Sequence, residues 1–174
     1  MKRIPFQDIG KKMENIVRQK YSVSVGWRDA EYPKIAAIQE FGAIIPVTSR
    51  MRGYLDWKYG INVWKSTIII PPRPHRKQTI QRMMTRWKKI LAVLLKKNEY
   101  DVGKSFDELG KQMLDDYRDV IKGGNFQPLS QATLKMRQID DVYGSVPLNA
   151  TDGMILAMDY WVEKKWQIDL YQLK

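Results

Sequence analysis

The sequence predicts an α+β fold: a small mixed or antiparallel sheet with a long β-hairpin-like excursion, packed against an amphipathic helix hairpin. Two observations support this fold class. Two β-branched stretches, at 43–47 and 61–70, flank a polar connection at 48–60, as two strands with an elaborated connection would. Farther along, two long segments place apolar side chains at helical spacing and are separated only by a short turn.

The length and composition fit one globular domain. A chain of 174 residues with 44% hydrophobic residues can bury a sizeable core. We expect a single domain over 1–174, with its core at about 6–158 and a C-terminal extension at 159–174. No apolar run reaches the roughly 18 residues of a membrane span, and the basic N-terminus lacks a signal-peptide apolar segment. We therefore expect the protein to be cytosolic where it is made.

Three elements are predicted before the first β-branched stretch. Residues 6–19 place apolar side chains at helical spacing opposite charged ones, which is typical of an amphipathic helix. Residues 21–27 alternate apolar and small polar side chains, as a half-buried strand does. A turn follows, and the helical segment at 34–42 ends at Gly42, where a left-handed residue can stop a helix.

The segment at 48–60 is predicted to protrude as a polar loop between the two strands. Its sequence also admits a short helix, but Gly53 weakens that alternative. Pro46 has no backbone donor, so the first strand lies at a sheet edge or ends there. The run TIII at 67–70 is flat enough to pair with a neighbouring chain if it is exposed.

The two long helices are predicted to carry opposite charges on their polar faces. The first, at 75–98, follows the rigid segment PPRPH, and all the charged residues of its polar side are basic. The second follows a turn at 98–101, ends near Ile121 and has a mostly acidic polar side. We expect the two to pack as an antiparallel hairpin with partly complementary charge.

The C-terminal part is predicted to hold shorter elements. Ser130 is a predicted N-cap for the short helix QATLKMRQ, and an irregular loop at 140–146 follows. The segment at 151–168 is expected to form a short helix and then a strand. Residues 166–174 alternate apolar and polar side chains, so they are expected to add a strand or to lie against a partner.

The side chains that usually carry chemistry are scarce. Because Cys is absent and His occurs once, cysteine nucleophiles, thiolate zinc sites and most histidine chemistry are excluded. The acidic clusters at 115–119 and 140–141 are interpreted as solvated faces, since no loop supplies the geometry of a calcium site. His75 lacks an evident nucleophile or orienting partner in the sequence. We therefore expect no enzyme activity, no catalytic or metal-binding residues and no cofactor.

The net charge of +11 permits contact with nucleic acid, anionic lipid or an acidic protein. The first long helix is suited to neutralising phosphates without distinguishing between sequences, since no acid interrupts its basic face. A solvated face that balances the acidic helix explains the same residues equally well. Sequence-independent DNA binding stays open as an alternative function, although the sequence contains no recognisable nucleic-acid module.

Several short motifs follow one another along the chain: EFGA at 40–43, IPVTSRMRGYL at 45–55, IPPRPHRKQTI at 70–80 and PLSQATLKMR at 128–137. Trp87, Leu91 and the pair Leu109-Gly110 fit the same pattern. In order and spacing these motifs resemble the tailed-phage tail-completion proteins, also called Mu-like virion morphogenesis proteins, over most of 21–158. His75 stands where that family usually has an aromatic residue after Arg-Pro.

The resemblance implies a non-enzymatic structural protein of the phage virion, located at the neck and made in the bacterial host cytoplasm. Such proteins form a homo-oligomeric ring, commonly six-fold, at the head-proximal end of the tail. They complete or terminate the tail and join it to the head-completion proteins, with no membrane involved. Transient contact with the genomic DNA that passes through the ring is also implied.

The resemblance further assigns expected roles to two groups of residues. The excursion and the flat strand would contact neighbouring subunits, through Met51, Arg52, Tyr54, Trp57, Thr67, Ile68 and Ile69. The start of the basic helix would face the DNA channel or an acidic partner, through Arg73, Arg76, Lys77, Arg82 and Arg86.

Overall fold

The computed structural model describes residues 20–29, 31–142, 147–148 and 153–165. The predicted helix at 6–19 and the alternating segment at 166–174 lie outside the described residues, as does part of the predicted loop at 140–146. The described elements, in chain order, are β1 (Lys20–Gly26), α1 (Tyr32–Phe41), β2 (Ala43–Pro46), α2 (Ser49–Tyr59), β3 (Thr67–Ile70), α3 (His75–Lys97), α4 (Val102–Gly123), α5 (Gln131–Ile139), α6 (Gly153–Leu156) and β4 (Asp159–Lys165). The α+β class is confirmed, with the described strands in two antiparallel pairs.

The chain divides into two compact units, and the two long helices contribute residues to both. The first unit contains β1, β4 and the segment Met83–Asp115. The second contains Trp27–Arg82 and Asp116–Met158. The excursion between β2 and β3, around which the sequence predicted the functional surface, lies within the second unit.

In the first unit, β1 and β4 pair residue for residue over their whole length. Tyr160 of β4 packs over α4 at Gly110, where any β-carbon would collide with its ring. The Tyr160 hydroxyl donates a 2.8 Å hydrogen bond to Asp107, which also pairs with Lys111 at 2.8 Å. The glycine inside this helix is therefore explained by the close approach of the sheet. The strand predicted to follow the short helix is confirmed as β4.

A buried polar cluster closes the turn between α3 and α4. Asn98 is 8% exposed and donates hydrogen bonds to Ser105 Oγ (3.4 Å) and Glu108 Oε1 (3.3 Å). Lys97 forms a 2.9 Å ion pair with Glu108, and its hydrogen bond lowers the pKa of that carboxyl. This pair is an instance of the complementary charge that the sequence predicted for the two helices.

In the second unit, β2 pairs antiparallel with β3, so that Ala43 lies opposite Ile70. The predicted strand at 61–70 is wrong over 61–66, because only Thr67–Ile70 joins the sheet. The Arg52 guanidinium instead binds the backbone carbonyls of residues 63, 64 and 65, at 2.8, 3.2 and 3.2 Å. Successive carbonyls of a strand point to opposite sides, so three successive carbonyls that converge on one guanidinium are not in strand conformation.

The connection between β2 and β3 folds as helix α2 over Ser49–Tyr59, so the alternative of a short helix is confirmed for this segment. Thr48 caps the helix start by accepting a hydrogen bond from Met51 N (3.2 Å), and Gly60 ends it in the left-handed conformation (φ 58°). Gly53 faces open space, with nothing within 4 Å of a β-carbon built there. A helical glycine costs only about 1 kcal/mol. The two caps and the contacts of Arg52 offset that cost.

Candidate assembly interface

Glu40, near the end of α1, caps the start of α3. Its carboxylate accepts hydrogen bonds from the backbone N–H groups of Arg76 (2.8 Å) and Lys77 (3.1 Å). Glu40 is buried, with 8% of the residue exposed. A negative charge is favourable here because the first N–H groups of a helix lack partners and the helix dipole is positive at this end. The glutamate of the EFGA motif therefore fixes where the long basic helix begins.

His75, the first residue of α3, is the centre of a buried aromatic cluster. Its ring is enclosed (1% exposed), edge-on to Trp27 and stacked on Tyr117. Nε2 lies 3.2 Å from the carbonyl oxygen of Ala36, which can only accept, so Nε2 carries the proton. Nδ1 then accepts a 2.7 Å hydrogen bond from the Tyr117 hydroxyl. Burial lowers the pKa of His75, and the neutral ring takes the packing role of an aromatic residue.

Arg73 is buried and hydrogen-bonded, whereas the sequence placed it among the residues that contact DNA or an acidic partner. It is 5% exposed, and its guanidinium donates to the carbonyl of Gln127 (3.0 Å) and to Gln39 Oε1 (3.0 Å). Burial lowers the pKa of Arg73, and the positive charge of Arg137 lowers it further. The guanidinium joins the PPRPH segment to the start of PLSQATLKMR, so it is not exposed to DNA or to an acidic partner beside α3.

The motifs singled out in the sequence meet within the second unit. Glu40 reaches α3, Arg73 reaches the chain before α5, and Ser130 caps α5 as predicted. Gly42 has a positive φ of 76°, and a β-carbon there would stand 2.7 Å from the carbonyl oxygen of Ile70. The motifs that follow one another along the sequence therefore pack together in the folded chain.

The β2–β3 sheet exposes two isoleucines side by side. Ile44 and Ile69 are opposite each other in the strand register and are 71% and 70% exposed. Phe41, just before β2, is 70% exposed. Single exposed apolar residues are ordinary on protein surfaces, whereas adjacent ones form a candidate interaction surface. We call Ile44 and Ile69 the sheet patch.

Helix α2 exposes a second apolar group. Trp57 is 81% exposed, and its ring lies 6.3 Å from that of Tyr54, which is 48% exposed. Tryptophan and tyrosine are enriched among the residues that dominate binding at protein interfaces. We call Tyr54 and Trp57 the helix patch. Trp64, 85% exposed in the connection after α2, is a further exposed indole.

The helix patch lies near the C-terminal end of α2, and this end is bound to Asp140 by side-chain contacts. Lys58 forms a 2.8 Å ion pair with Asp140, the residue that ends α5, and the Tyr59 hydroxyl donates a 2.8 Å hydrogen bond to the same carboxylate. The hydrogen bond from Lys58 lowers the pKa of Asp140. The Lys58 ammonium also lies 4.9 Å from the centre of the buried Tyr59 ring. These contacts restrict the conformations of this part of α2, so binding at such a surface would cost little conformational entropy.

The structure separates the predicted interface residues into two groups. Three are exposed and belong to the two patches: Tyr54, Trp57 and Ile69. Four are half-buried: Met51, Arg52, Thr67 and Ile68. Ile44, Phe41 and Trp64 were not singled out from the sequence. Of these three residues, Ile44 could have been predicted, because pairing the two strands as a hairpin places it opposite Ile69.

The remaining residues predicted to contact DNA or an acidic partner lie on α3 with exposed side chains: Arg76, Lys77, Arg82 and Arg86. Arg76 and Lys77 offer only their backbone N–H groups to Glu40, so that contact does not use their cationic ends. The acidic cluster at 115–119 is not uniformly solvated, since Asp116 is 3% exposed.

Within the residues that the structure describes, no group of three or more His, Asp or Glu side chains is placed to hold a metal ion. None of the described helices is both long and apolar enough to cross a membrane. No protein-family model, curated protein or solved structure matches the chain. The fold and the surface together define a small α+β protein with exposed apolar patches.

Proposed function

We propose that this protein is a structural subunit of a tailed-phage virion. It forms a homo-oligomeric ring, a hexamer, at the head–tail neck, where it completes or terminates the tail and joins it to the head. Its partners are further copies of itself, the tail tube and the head-completion proteins of the neck. It assembles in the bacterial host cytoplasm and has no enzymatic role.

The observation that carries the proposal is the exposed apolar surface of the second unit. The sheet patch and the helix patch expose large apolar side chains on elements that are fixed by hydrogen bonds and an ion pair. Aromatic and aliphatic anchors on a rigid support are what a stable protein interface requires. The order of the sequence motifs supports the phage neck as the setting for that interface.

The basic side of α3 supports a second role for the same subunit. Its exposed cations at 76, 77 and 82 lie in the second unit on a helix that contains no acidic residue. Such a surface makes loose, salt-sensitive contact with phosphates, which suits DNA that moves past it. Sequence-independent DNA binding without ring formation is the alternative that the same cations favour.

The proposal is tested by measuring native mass and by imaging the assemblies. The 20.5 kDa chain is expected to assemble into six-fold rings, alone or when tail-tube and neck proteins are added. Ile69→Thr and Trp57→Ser should each raise the protein concentration needed for assembly by about tenfold, which corresponds to about 1.4 kcal/mol. Val93→Thr is the matched control, because Val93 is an exposed apolar residue (64%) on α3 in the first unit.

Two results would overturn the proposal. The first is a chain that stays monomeric at micromolar concentration with and without neck and tail-tube proteins. The second is assembly that Val93→Thr weakens as much as Ile69→Thr does. A monomer that shifts duplex DNA at low salt, and releases it steeply as salt rises, would favour the DNA-binding alternative.

A further inference from the structure

A groove of about 710 Å³ runs beside β3 in the second unit. Three successive residues of β3, Ile68, Ile69 and Ile70, line it, whereas none of the residues of β2 does. Successive side chains of a strand point to opposite faces, so a groove that borders all three lies along an edge of β3 rather than on one face of the sheet. Because β2 takes no part in the lining, this is the edge that faces away from β2.

The pairing of β3 with β2 identifies the backbone groups at this edge. In an antiparallel pair, residues that lie opposite each other alternate between pairs that are hydrogen-bonded and pairs whose N–H and C=O groups point away from each other. The N–H of Val47 donates to the carbonyl of Ser66, just beyond the opposed residues Pro46 and Thr67. The alternation therefore directs the N–H and C=O groups of Thr67 and Ile69 away from β2, to the edge that borders the groove. Pro46 has no N–H and occupies an outward-pointing position on β2, which agrees with this alternation.

The outward-pointing groups of Thr67 and Ile69 are open to pairing with an added strand. Within the part of the chain that the structure describes, β3 pairs only with β2, in a sheet of two strands. The two residues offer two donors and two acceptors, and an extended chain laid along the edge can satisfy them with four hydrogen bonds. The groove is therefore shaped for a single peptide segment in strand conformation.

The side chains around the groove favour apolar residues in that segment. Besides the isoleucines of β3, the lining includes Ile35, Leu129, Leu148 and Met154. Side chains of an added strand alternate between two faces, so every second one contacts this lining. A segment with apolar, preferably β-branched, residues at alternate positions fits the groove.

Arg73 gives the wall of the groove a positive charge. Its guanidinium donates to three neutral oxygens, the carbonyls of Gln127 and Pro128 and Oε1 of Gln39, at 3.0, 3.5 and 3.0 Å. Burial lowers the pKa of Arg73, and the charge of Arg137 lowers it further. The field of a poorly solvated cation is weakly screened, so an anionic group in the groove is attracted and a cationic group is repelled. The net charge of +11 on the whole chain acts in the same direction.

We propose that this groove binds an extended acidic segment of another protein, which adds to the edge of β3 as a third strand of the sheet. The segment has apolar side chains at alternate positions and a carboxylate that the charge of Arg73 attracts. A second copy of this chain fits less well, because each described strand is already paired and would bring a whole sheet into the groove. The binding requires one subunit and one partner segment, so it does not depend on ring formation.

The probe is a fluorescently labelled peptide of sequence GTVEVTVG with blocked ends. As a strand it places its Val side chains on one face and its single Glu on the other. Fluorescence anisotropy with the full-length protein at low salt should give a dissociation constant on the order of 0.1 mM, since four hydrogen bonds and a few apolar contacts have to offset the cost of association. A twin peptide with Lys in place of Glu should bind at least about tenfold more weakly. Equal affinities would overturn the acidic character of the partner.

Two proline substitutions test the main-chain contact. Ile69→Pro removes the N–H that points to the groove and no hydrogen bond of the β2–β3 pair, as Pro46 already does on β2. This variant should bind the probe at least about tenfold more weakly. Ile44→Pro is the matched control, because Ile44 lies opposite Ile69, is equally exposed and points its N–H to the other edge of the sheet. It should bind the probe as the parent does.

Ile69→Thr separates the backbone of this position from its side chain, since it keeps the N–H. It should change the affinity for the probe by less than about threefold, although the same substitution is expected to weaken ring assembly. Equal losses in Ile69→Pro and Ile44→Pro, or in Ile69→Pro and Ile69→Thr, would overturn strand addition at β3.

Amide hydrogen exchange of the parent protein gives a test that needs no variant. At a probe concentration about ten times the dissociation constant, exchange of the Thr67 and Ile69 amides should slow by about tenfold, because the added strand accepts their hydrogen bonds. The Ile44 amide, on the other edge of the sheet, should exchange at an unchanged rate. Bound probe without protection of Thr67 and Ile69 would overturn the proposal.

Native mass without the probe shows whether a second copy fills the groove instead. A mass that falls in Ile69→Pro, but not in Ile44→Pro or Ile69→Thr, would assign the edge of β3 to a second copy and overturn the assignment to another protein. Rings of normal mass that do not bind the probe would overturn the groove proposal and leave the proposed function intact. Probe binding with the expected edge protection in a protein that never forms rings would support the groove and overturn the ring.

Discussion

Tyr117 donates a 2.7 Å hydrogen bond to Nδ1 of His75, and the two rings stack with their centroids 5.7 Å apart. Burial raises the pKa of the Tyr117 hydroxyl, so it remains a donor. The charged groups facing the imidazole are the Glu40 carboxylate, 3.7 Å from Nδ1, and Arg76, and their effects on the pKa of His75 oppose each other. Burial is the largest cause and lowers that pKa, and it outweighs the hydrogen bond with the Ala36 carbonyl and the Glu40 carboxylate, which both raise it.

Mild acid is therefore expected to destabilise the fold through His75. The folded pKa lies below the ordinary value of 6.5, so between the two values the unfolded chain binds more protons than the folded chain. The stabilising contribution is complete above pH 6.5 and is lost as the pH falls toward the folded pKa. Because one group binds at most one proton, its contribution to the slope of the free energy of unfolding is at most about 1.4 kcal/mol per pH unit. Urea unfolding at several pH values between about 7.5 and 5.5 measures it.

His75→Phe is the control for this pH dependence, since it keeps a ring and removes the single histidine. The variant leaves the Tyr117 hydroxyl and the Ala36 carbonyl without their partner, so we expect it to be about 2 kcal/mol less stable at neutral pH. Its stability should change little over the same pH range. An unchanged slope would assign the effect to other groups, and the histidine explanation would be wrong.

Glu40→Ala is expected to lower the free energy of unfolding by about 2 kcal/mol, because two backbone N–H groups at the start of α3 lose their acceptor. Glu31→Ala is the matched control. Glu31 is exposed at the start of α1, makes no side-chain capping hydrogen bond and should change stability by less than about 0.5 kcal/mol. Equal losses in the two variants would contradict the capping role of Glu40.

Two glycine substitutions are expected to have opposite signs. Gly42→Ala should destabilise the protein by more than about 1 kcal/mol, because the residue has φ 76° and its β-carbon would press on the Ile70 carbonyl. Gly53→Ala should stabilise it by about 0.5–1 kcal/mol, because Gly53 lies within α2 and faces open space. Thermal unfolding of both variants beside the parent checks the pair. A stabilising Gly42→Ala would show that the turn after α1 is misassigned.

Arg52→Lys is expected to loosen the connection at 61–66, although the charge is kept. A guanidinium can donate to the carbonyls of residues 63, 64 and 65 together, whereas an ammonium on a flexible stem cannot hold the same geometry. Hydrogen exchange of the amides at 61–66 should rise. Arg50→Lys, at an exposed position of the same helix, should leave their exchange rates unchanged. A similar rise in both variants would remove the special role of Arg52.

The sequence predicted the elements that depend on local signals. The Ser130 cap, the end of α1 before Gly42 and the long helices are governed by turn chemistry and hydrophobic periodicity, which the sequence displays. It also placed Tyr54, Trp57 and Ile69 in the region that the structure exposes. The predictions of a phage neck ring and of its partners remain predictions.

The misses arise from contacts between residues distant in sequence. In the sequence, Arg73 cannot be told from the other basic residues near the start of α3. Its guanidinium nevertheless donates hydrogen bonds to backbone carbonyls more than fifty positions later in the chain. His75 has no adjacent partner in sequence, because Tyr117 and Ala36 meet it only in the folded chain. Gly53 made a helix at 49–59 look unfavourable in the sequence. The loss of helix stability that a glycine causes is outweighed by the two caps and by the contacts of Arg52.

The backbone N–H of Val47 donates a 2.8 Å hydrogen bond to the carbonyl of Ser66, just where the excursion leaves and re-enters the sheet. This hydrogen bond therefore holds the start and the end of the segment between β2 and β3 next to each other. Because the entropic cost of closing a loop grows only with the logarithm of its length, insertions and replacements between these two residues leave the sheet intact. The surface that this segment presents can therefore change while the pairing of β2 with β3 is kept.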